Sequence, residues 1–302
     1  MTHERRTYAS AGVSIDKADA VVSRLREAVE STGATGFGAF AGLHPLGDGR
    51  LLAASTDGVG TKLILARERG ALRVCGADLA AHCINDVATS GAEPLLFLDY
   101  VAASEIDLEQ VAELVEGAAE VCREAGVALV GGETAELPGI YREGELDFAG
   151  TCVGVVERGC LIDGSRIEAG DAVIGLPSAG VHANGFTLVR KILEEEDYDG
   201  DDLLAPTRLY LSDVRRLRAS LDVRGLAHVT GGGIVGNLSR ILPDGLRPEI
   251  DWDAWERPPV FRWLAQYVEE DELRRVFNLG IGYCAIVPDP GEERVIGRIV
   301  TA

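Results

Sequence analysis

Apolar runs of strand and helix length alternate along this chain, and between Ser55 and Glu136 four compact polar clusters interrupt them. They are Ser55-Thr56-Asp57-Gly58-Val59-Gly60-Thr61-Lys62, Gly76-Ala77-Asp78, Ile84-Asn85-Asp86 and Gly131-Gly132-Glu133-Thr134-Ala135-Glu136. Each joins or flanks a carboxylate with glycine or a lysine. In α/β folds ligands bind at strand ends and helix starts, which is where such clusters fall. Carboxylate oxygens suit a hard cation such as magnesium, while backbone N–H groups and an ammonium suit phosphate oxygens. The clusters therefore fit a magnesium-bound triphosphate.

The periodicities describe an α/β chain, of the α+β type, in two parts. A helix over 16–29 places Val21, Val22, Leu25, Ala28 and Val29 on one face, with Ser14 or Asp16 as its cap. The glycine-rich segment 33–42 leads into a strand at 51–54. Residues 77–89 read as a helix whose Asp78, His82, Asn85 and Asp86 stand at helical spacings and share one stripe. A strand at 94–101, a helix at 107–125 and a strand at 127–130 follow, the last delivering Gly131, Gly132 and Glu133 at its C-terminal end. A strand at 146–156 closes this part. The turn-rich joint 158–164 marks a boundary, giving expected domains 1–158 and 159–302. The second part reads as a strand at 171–176, a loop through His182, Asn184 and Gly185, and a helix to Leu193. A helix at 207–221, a strand at 227–230, Gly231-Gly232-Gly233 and a short helix at 234–241 come next. Both loop-to-helix junctions offer free N–H groups to anions.

Composition narrows the class. The chain has 302 residues, 46% of them hydrophobic, enough for two medium cores. Its apolar runs are too short to span a bilayer, and residues 1–6 are not followed by an apolar signal region, so the expectation is a cytoplasmic protein with no membrane partner. The six cysteines form no C-x-x-C pair and read as buried free thiols. A net charge of −20 argues against nucleic acid as a partner. Only Lys17, Lys62 and Lys191 are lysines among the 29 basic residues. Scarce lysine beside abundant carboxylate points to high intracellular salt, a halophilic source, with an ordinary acidic protein as the alternative. It also singles out Lys62.

Each motif has a plainer explanation. Gly58-Val59-Gly60-Thr61-Lys62 is not a Walker A sequence, because its spacing is short and Thr precedes Lys. The stripe Asp78, Asn85 and Asp86 could be a solvated face, although apolar residues crowd it. His182 and His228 taken singly would be structural, and Gly-Gly-Gly an ordinary flexible loop.

Several long motifs in order carry a resemblance. Ser55 to Lys62, Asn85-Asp86, Gly91 to Tyr100, Leu129 to Glu136, His182-Ala183-Asn184-Gly185, Leu204 to Arg208 and His228 to Gly233 resemble the phosphoribosylformylglycinamidine cyclo-ligases, or aminoimidazole ribonucleotide synthetases, from about Tyr8 to Val287. The resemblance implies a two-domain chain in which the N-terminal strands of two subunits pair into a shared barrel, with a C-terminal α/β domain. A homodimer with ATP sites near the subunit interface follows. It also implies ATP and Mg2+ as cofactors and formylglycinamidine ribonucleotide as substrate. By the same resemblance Asp57, Asp78, Asp86 and Glu133 hold magnesium directly or through water, and Lys62 contacts the phosphates. Gly36, Gly38, Gly58, Gly60, Thr61, Asn85, Asn184, Thr230, Gly231 and Gly232 belong to the nucleotide site, and His182 and His228 assist catalysis.

Two departures and three rivals stand beside it. Thr35-Gly36-Phe37-Gly38 is shorter than the family's Gly-Gly-Phe-Gly pattern, and residues 288–294 turn directly into the final segment where the family has a helix, which implies a trimmed C-terminal domain. Selenophosphate synthetase needs a cysteine near the glycine-rich segment, whereas the first here is Cys75. The motifs at His182 and His228 fit the cyclo-ligase better than thiamine monophosphate kinase. A hydrogenase-maturation scaffold ends in a reactive cysteine, and this sequence ends Ile299-Val300-Thr301-Ala302.

Overall fold

A computed structural model describes residues 6–34 and 37–302, so Gly36 lies outside the described residues. The first half is built from α1 (Ile15–Glu30), β1 (Gly42–Pro45), β2 (Arg50–Gly58), α2 (Lys62–Glu68), α3 (Leu72–Thr89), β3 (Glu93–Ala103), α4 (Leu108–Ala125), β4 (Ala128–Glu136) and β5 (Leu146–Glu157). Its five-stranded sheet runs β1-β2-β5-β3-β4. The β3–β4 pair is parallel and the others antiparallel. Strict alternation along β5 buries Phe148, Cys152 and Val156 against the helices and leaves the other face of the sheet uncovered by them. Ser14 caps α1 through the Lys17 N–H, and Asp107 caps α4 through the N–H groups of Glu109 and Gln110.

The second half contains β6 (Ala172–Pro177), α5 (Phe186–Leu193), α6 (Leu211–Ser220), β7 (Gly225–His228), α7 (Gly233–Ser239), β8 (Leu246–Ile250), α8 (Pro259–Leu264), α9 (Glu270–Val276), β9 (Ile281–Val287) and β10 (Val295–Thr301). These strands form an antiparallel sheet in the order β7-β9-β6-β10-β8. Every residue of β9 is buried, because it lies inside the sheet with an apolar cluster on each face. Its continuous apolar run fits that position. Residues 288–294 pass directly from β9 to β10 without a helix.

Some boundaries move. β2 extends to Gly58 and β4 to Glu136, so Asp57 and Glu133 lie within strands, not in loops beyond them. The helix read at 207–221 begins only at Leu211, because residues 207–210 are irregular and the Thr207 and Tyr210 N–H groups are held by side chains of α3.

α3 is buried on nearly every side, between the N-terminal sheet, α4 and the second half. It approaches α4 through two glycines. A Cβ at Gly76 would lie 1.9 Å from the Leu114 carbonyl oxygen, and one at Gly117 would lie 2.0 Å from that of Arg73. Gly76→Ala should cost about 1–3 kcal/mol through this overpacking. Gly159→Ala, with nothing within 4 Å of the new methyl, should stay within about 0.5 kcal/mol. Denaturant unfolding of the two variants checks the contrast.

Candidate active site

The stripe of α3 forms the seam between the two halves. Asp78 and Lys62 are both fully buried and make an ion pair of 2.7 Å. Asp78 also accepts hydrogen bonds from the Thr207 N–H (2.7 Å) and hydroxyl (2.8 Å), while Lys62 donates to the Ala205 carbonyl at 3.1 Å. Two helical turns on, Asn85 donates to the Arg208 carbonyl (2.9 Å) and accepts from the Tyr210 N–H (2.8 Å). Segment 205–210 is thus fastened to α3 along its length. Asp78 and Lys62 were expected at magnesium and phosphate, but each has its charge spent on the other inside the protein. Asn85 is equally committed to backbone.

Next along the stripe, two carboxylates each meet an imidazole. Asp86 accepts from His228 Nδ1 at 2.8 Å and from the Ser55 hydroxyl at 3.1 Å. Asp57 accepts from the Gly58 N–H at 2.7 Å and from His82 Nδ1 at 3.3 Å. A carboxylate can only accept, so both Nδ1 atoms carry the proton. Ser55 and Asp57 share one face of β2, so Asp86, bonded to Ser55, and Asp57 lie on the same side of that strand. The His82 and His228 rings meet edge to face, with centroids 5.0 Å apart. The Asp57 side chain is 39% exposed and that of Asp86 13%, so both reach toward solvent while their imidazoles are buried.

The two pairs are biased in opposite directions. Burial pushes the Asp57 carboxyl up, but the His82 hydrogen bond and charge and the Gly58 N–H outweigh it and hold Asp57 below the usual carboxylate range. Burial disfavours charge on His82, yet the bond to Asp57 and the fields of Asp57, Asp78 and Asp86 raise its pKa. For His228 burial wins over Asp86, and its pKa is lowered.

His182 has a different place. It sits at φ 65° and is buried, and its Nε2 accepts from the Ala179 N–H (3.3 Å) and the Arg208 N–H (3.5 Å). Burial, then the fields of His82, His228, Lys62 and Arg208, drive its pKa well down. It pins the loop before α5 to segment 205–210; the expected catalytic role is not supported by a contact with open space. Glu133 is also displaced. The register runs Asp57, Gly150, Asp99, Gly132 straight across β2, β5, β3 and β4. Glu133, paired with Tyr100, therefore points to the opposite face, about 14 Å from Asp57 by strand spacing. It does not join Asp57 and Asp86 within this chain. Among the described residues no group of three or more His, Cys, Asp or Glu is spaced to hold a metal ion.

The glycine motifs assemble elsewhere. Gly38, Gly231 and Gly232 line a cavity of 1620 Å³, together with Arg26, Arg240 and Trp252. Asn184 lies beside Gly231, since a Cβ there would be 3.6 Å from its Oδ1. Asn237, which nothing in the sequence flagged, donates to the carbonyls of Thr230, Gly231 and Gly233 and holds this loop. Thr230 donates in turn to Asn237. Gly58 and Gly60 flank the turn from β2 into α2, where the Thr61 hydroxyl meets that of Thr187 at 2.9 Å. β2 runs from the cavity, at Leu52 and Ala54, to Asp57; the β7 loop runs from the cavity, at Gly231, back to His228. Leu52 and Ala54 face the side of β2 opposite to Ser55 and Asp57, so cavity and carboxylates share stretches of chain but not a face of that strand, and neither Asp57 nor Asp86 lines the cavity.

Comparison with known proteins matches residues 38–156 to the family described as AIR synthase related protein, N-terminal domain, and residues 168–298 to its C-terminal domain. The chain is 50% identical to the phosphoribosylformylglycinamidine cyclo-ligase of Synechococcus sp. (strain CC9605), over 96% of this chain and 90% of that one. It is 45% identical to the chloroplastic protein of the same name from Arabidopsis thaliana, over 97% of this chain and 77% of that one. Among solved structures, AaThiL complexed with AMPPCP and TMP superposes with a TM-score of 0.69 at 18% identity, covering 92% of this chain and 90% of that one.

Lys62→Met should leave the Asp78 carboxylate buried without its counter-charge and cost about 3–5 kcal/mol. Thermal and denaturant unfolding measure the loss; a stability change below 1 kcal/mol would show that the seam does not depend on this pair.

Proposed function

Since this chain belongs to the family of AIR synthase related proteins, we propose that it closes the imidazole ring of formylglycinamidine ribonucleotide at the expense of ATP, giving aminoimidazole ribonucleotide, ADP and phosphate. It is a ligase of purine biosynthesis by the names of its relatives. The observation that carries the site is that Asp57 and Asp86, from separate motifs, are each bonded to one of two imidazoles, His82 and His228, whose rings pack edge to face.

The chemistry needs activation, because a formyl oxygen leaves poorly. That oxygen attacks the γ-phosphorus, the β–γ bridging bond breaks, and ADP departs. A substrate nitrogen then adds to the formyl carbon, loses its proton, and expels phosphate as the ring closes. Such phosphoryl transfer rests on positioning and charge neutralisation. The cavity bounded by Gly38, Gly231 and Gly232 offers room for the nucleotide and its ribonucleotide partner, with Arg26 and Arg240 for anionic groups. The bound ATP analogue named for the AaThiL structure supports ATP use here.

Two partly exposed carboxylates fit magnesium, which is commonly held by one or two carboxylates with water and substrate phosphates completing its shell. Asp57 and Asp86 are the residues that would hold it, and bound magnesium would supply neutralisation of triphosphate charge. His228 holds Asp86 in place by its Nδ1–H. Asp78 and Glu133 are left out of this set.

The enzyme works in the cytoplasm as a homodimer on this reading. The outer face of the N-terminal sheet supports the dimer, with Leu98 at 40%, Tyr100 at 38% and Val130 at 57% exposure. Sedimentation velocity should give twice the 32.1 kDa chain mass; a monomer at micromolar concentration would end the dimer proposal. The carboxylate excess supports a saline setting, where screening shortens from about 10 Å at 0.1 M to about 3 Å at 1 M salt.

Purified protein with magnesium ATP should release ADP and form an aromatic amine in equal amounts, only when formylglycinamidine ribonucleotide is added, and faster in molar KCl than at 0.1 M. Asp86→Asn should lower turnover by about 10²-fold or more with an unchanged unfolding midpoint. ADP release without aromatic amine would overturn the ring-closing assignment.

A further inference from the structure

His82 is given no role by any motif, yet it occupies a distinctive position. It comes from the middle of α3, is only 4% exposed, and directs Nδ1 at Asp57 Oδ2 from 3.3 Å. Its ring packs edge to face on His228, which serves Asp86 in the same way. Asp57 has one oxygen fixed by the Gly58 N–H and the other by His82. Of these two donors only His82 is a side chain and can be changed without touching β2. Neither His82 Nε2 nor His228 Nε2 has a hydrogen-bond partner in the protein, so the two imidazoles spend their polar contacts on the carboxylates alone.

A buried imidazole could simply fill the core. Leu, Met or Ile would then serve as well, and an orphaned ring nitrogen would be an avoidable cost. The paired arrangement argues for another purpose. An exposed aspartate samples several side-chain rotamers, whereas one bonded at both oxygens presents its remaining lone pairs in a single direction. Partners of this sort, one step removed from a cation, orient the carboxylate that binds it.

We propose that His82 is a positioning residue that fixes the Asp57 carboxylate for divalent cation binding, the counterpart of His228 at Asp86. The inference rests on the magnesium reading of Asp57 given above. His82 does not touch the reacting atoms. It acts through Asp57, and its effect is on cation affinity more than on substrate binding.

The test uses the full-length protein with a non-hydrolysable ATP analogue and manganese, whose free ion is counted by electron paramagnetic resonance. His82→Leu removes the donor. His82→Gln keeps a polar side chain of similar volume but moves the donor beyond the Nδ1 position, and serves if the leucine variant does not fold. His82→Asn keeps an amide N–H close to that of Nδ1. Loss of the donor should weaken manganese binding by about 10–100-fold, with asparagine restoring most of it and the Michaelis constant for the ribonucleotide substrate little changed. Unchanged manganese affinity in both His82→Leu and His82→Gln, while Asp57→Asn weakens binding, overturns the role of His82 alone. Unchanged affinity in Asp57→Asn as well overturns the metal assignment and this inference together.

Discussion

The arrangement of the two halves depends on the buried ion pair between Lys62 and Asp78. Two charges removed from water gain little net stability from each other, but neither can be left alone without a large penalty. Each must therefore find its partner, and the surroundings must satisfy what remains. Thr207 and Ala205 do so, which binds segment 205–210 to α3. Arg208 then reaches His182 through its N–H, and Tyr210 donates to Pro177. The fold transmits the position of a helix in the first half to the loops of the second through a continuous set of hydrogen bonds.

That fastening places Asp86 against His228 and, beside them, Asp57 against His82. The four side chains come from β2, α3 and β7, and none could be oriented by its local segment. Their environments are similar in kind but different in outcome. His82 is surrounded by three carboxylates, and its charged form is favoured; His228 is deeper and feels mainly one, and burial prevails. The seam thereby holds two imidazoles biased in opposite directions, about 5.0 Å apart, next to two carboxylates that are partly exposed.

Much of this was legible in the sequence for physical reasons that can be named. The stripe of Asp78, His82, Asn85 and Asp86 follows from the helical repeat, and its one-sided exposure to polar partners is what the structure contains. The cap Ser14 is likewise local. Reading every member of the stripe as a ligand failed at Asp78. Spacing places a side chain on a face but says nothing of what covers that face, and Lys62 and Thr207 cover it here. Glu133 failed for a related reason. The sequence shows Gly131-Gly132-Glu133 as the end of a strand, whereas the strand continues to Glu136, and one residue of register turns Glu133 to the other face. Asn237 and the role of His82 had no local signal, because hydrogen bonds to distant backbone and side chains leave no periodic trace.

The sequence by itself determined many of the elements of the first 240 residues, the family and the residue types of the site, since propensity, periodicity and motif order are properties of neighbouring residues. Only the tertiary structure decided which carboxylates stay available and which are spent. Availability is set by partners far apart in the chain, Asp78 with Lys62 and Thr207, Asp86 with His228, and Asp57 with His82. In a low-dielectric seam those partners decide whether a charge is neutralised inside the protein or left facing a ligand.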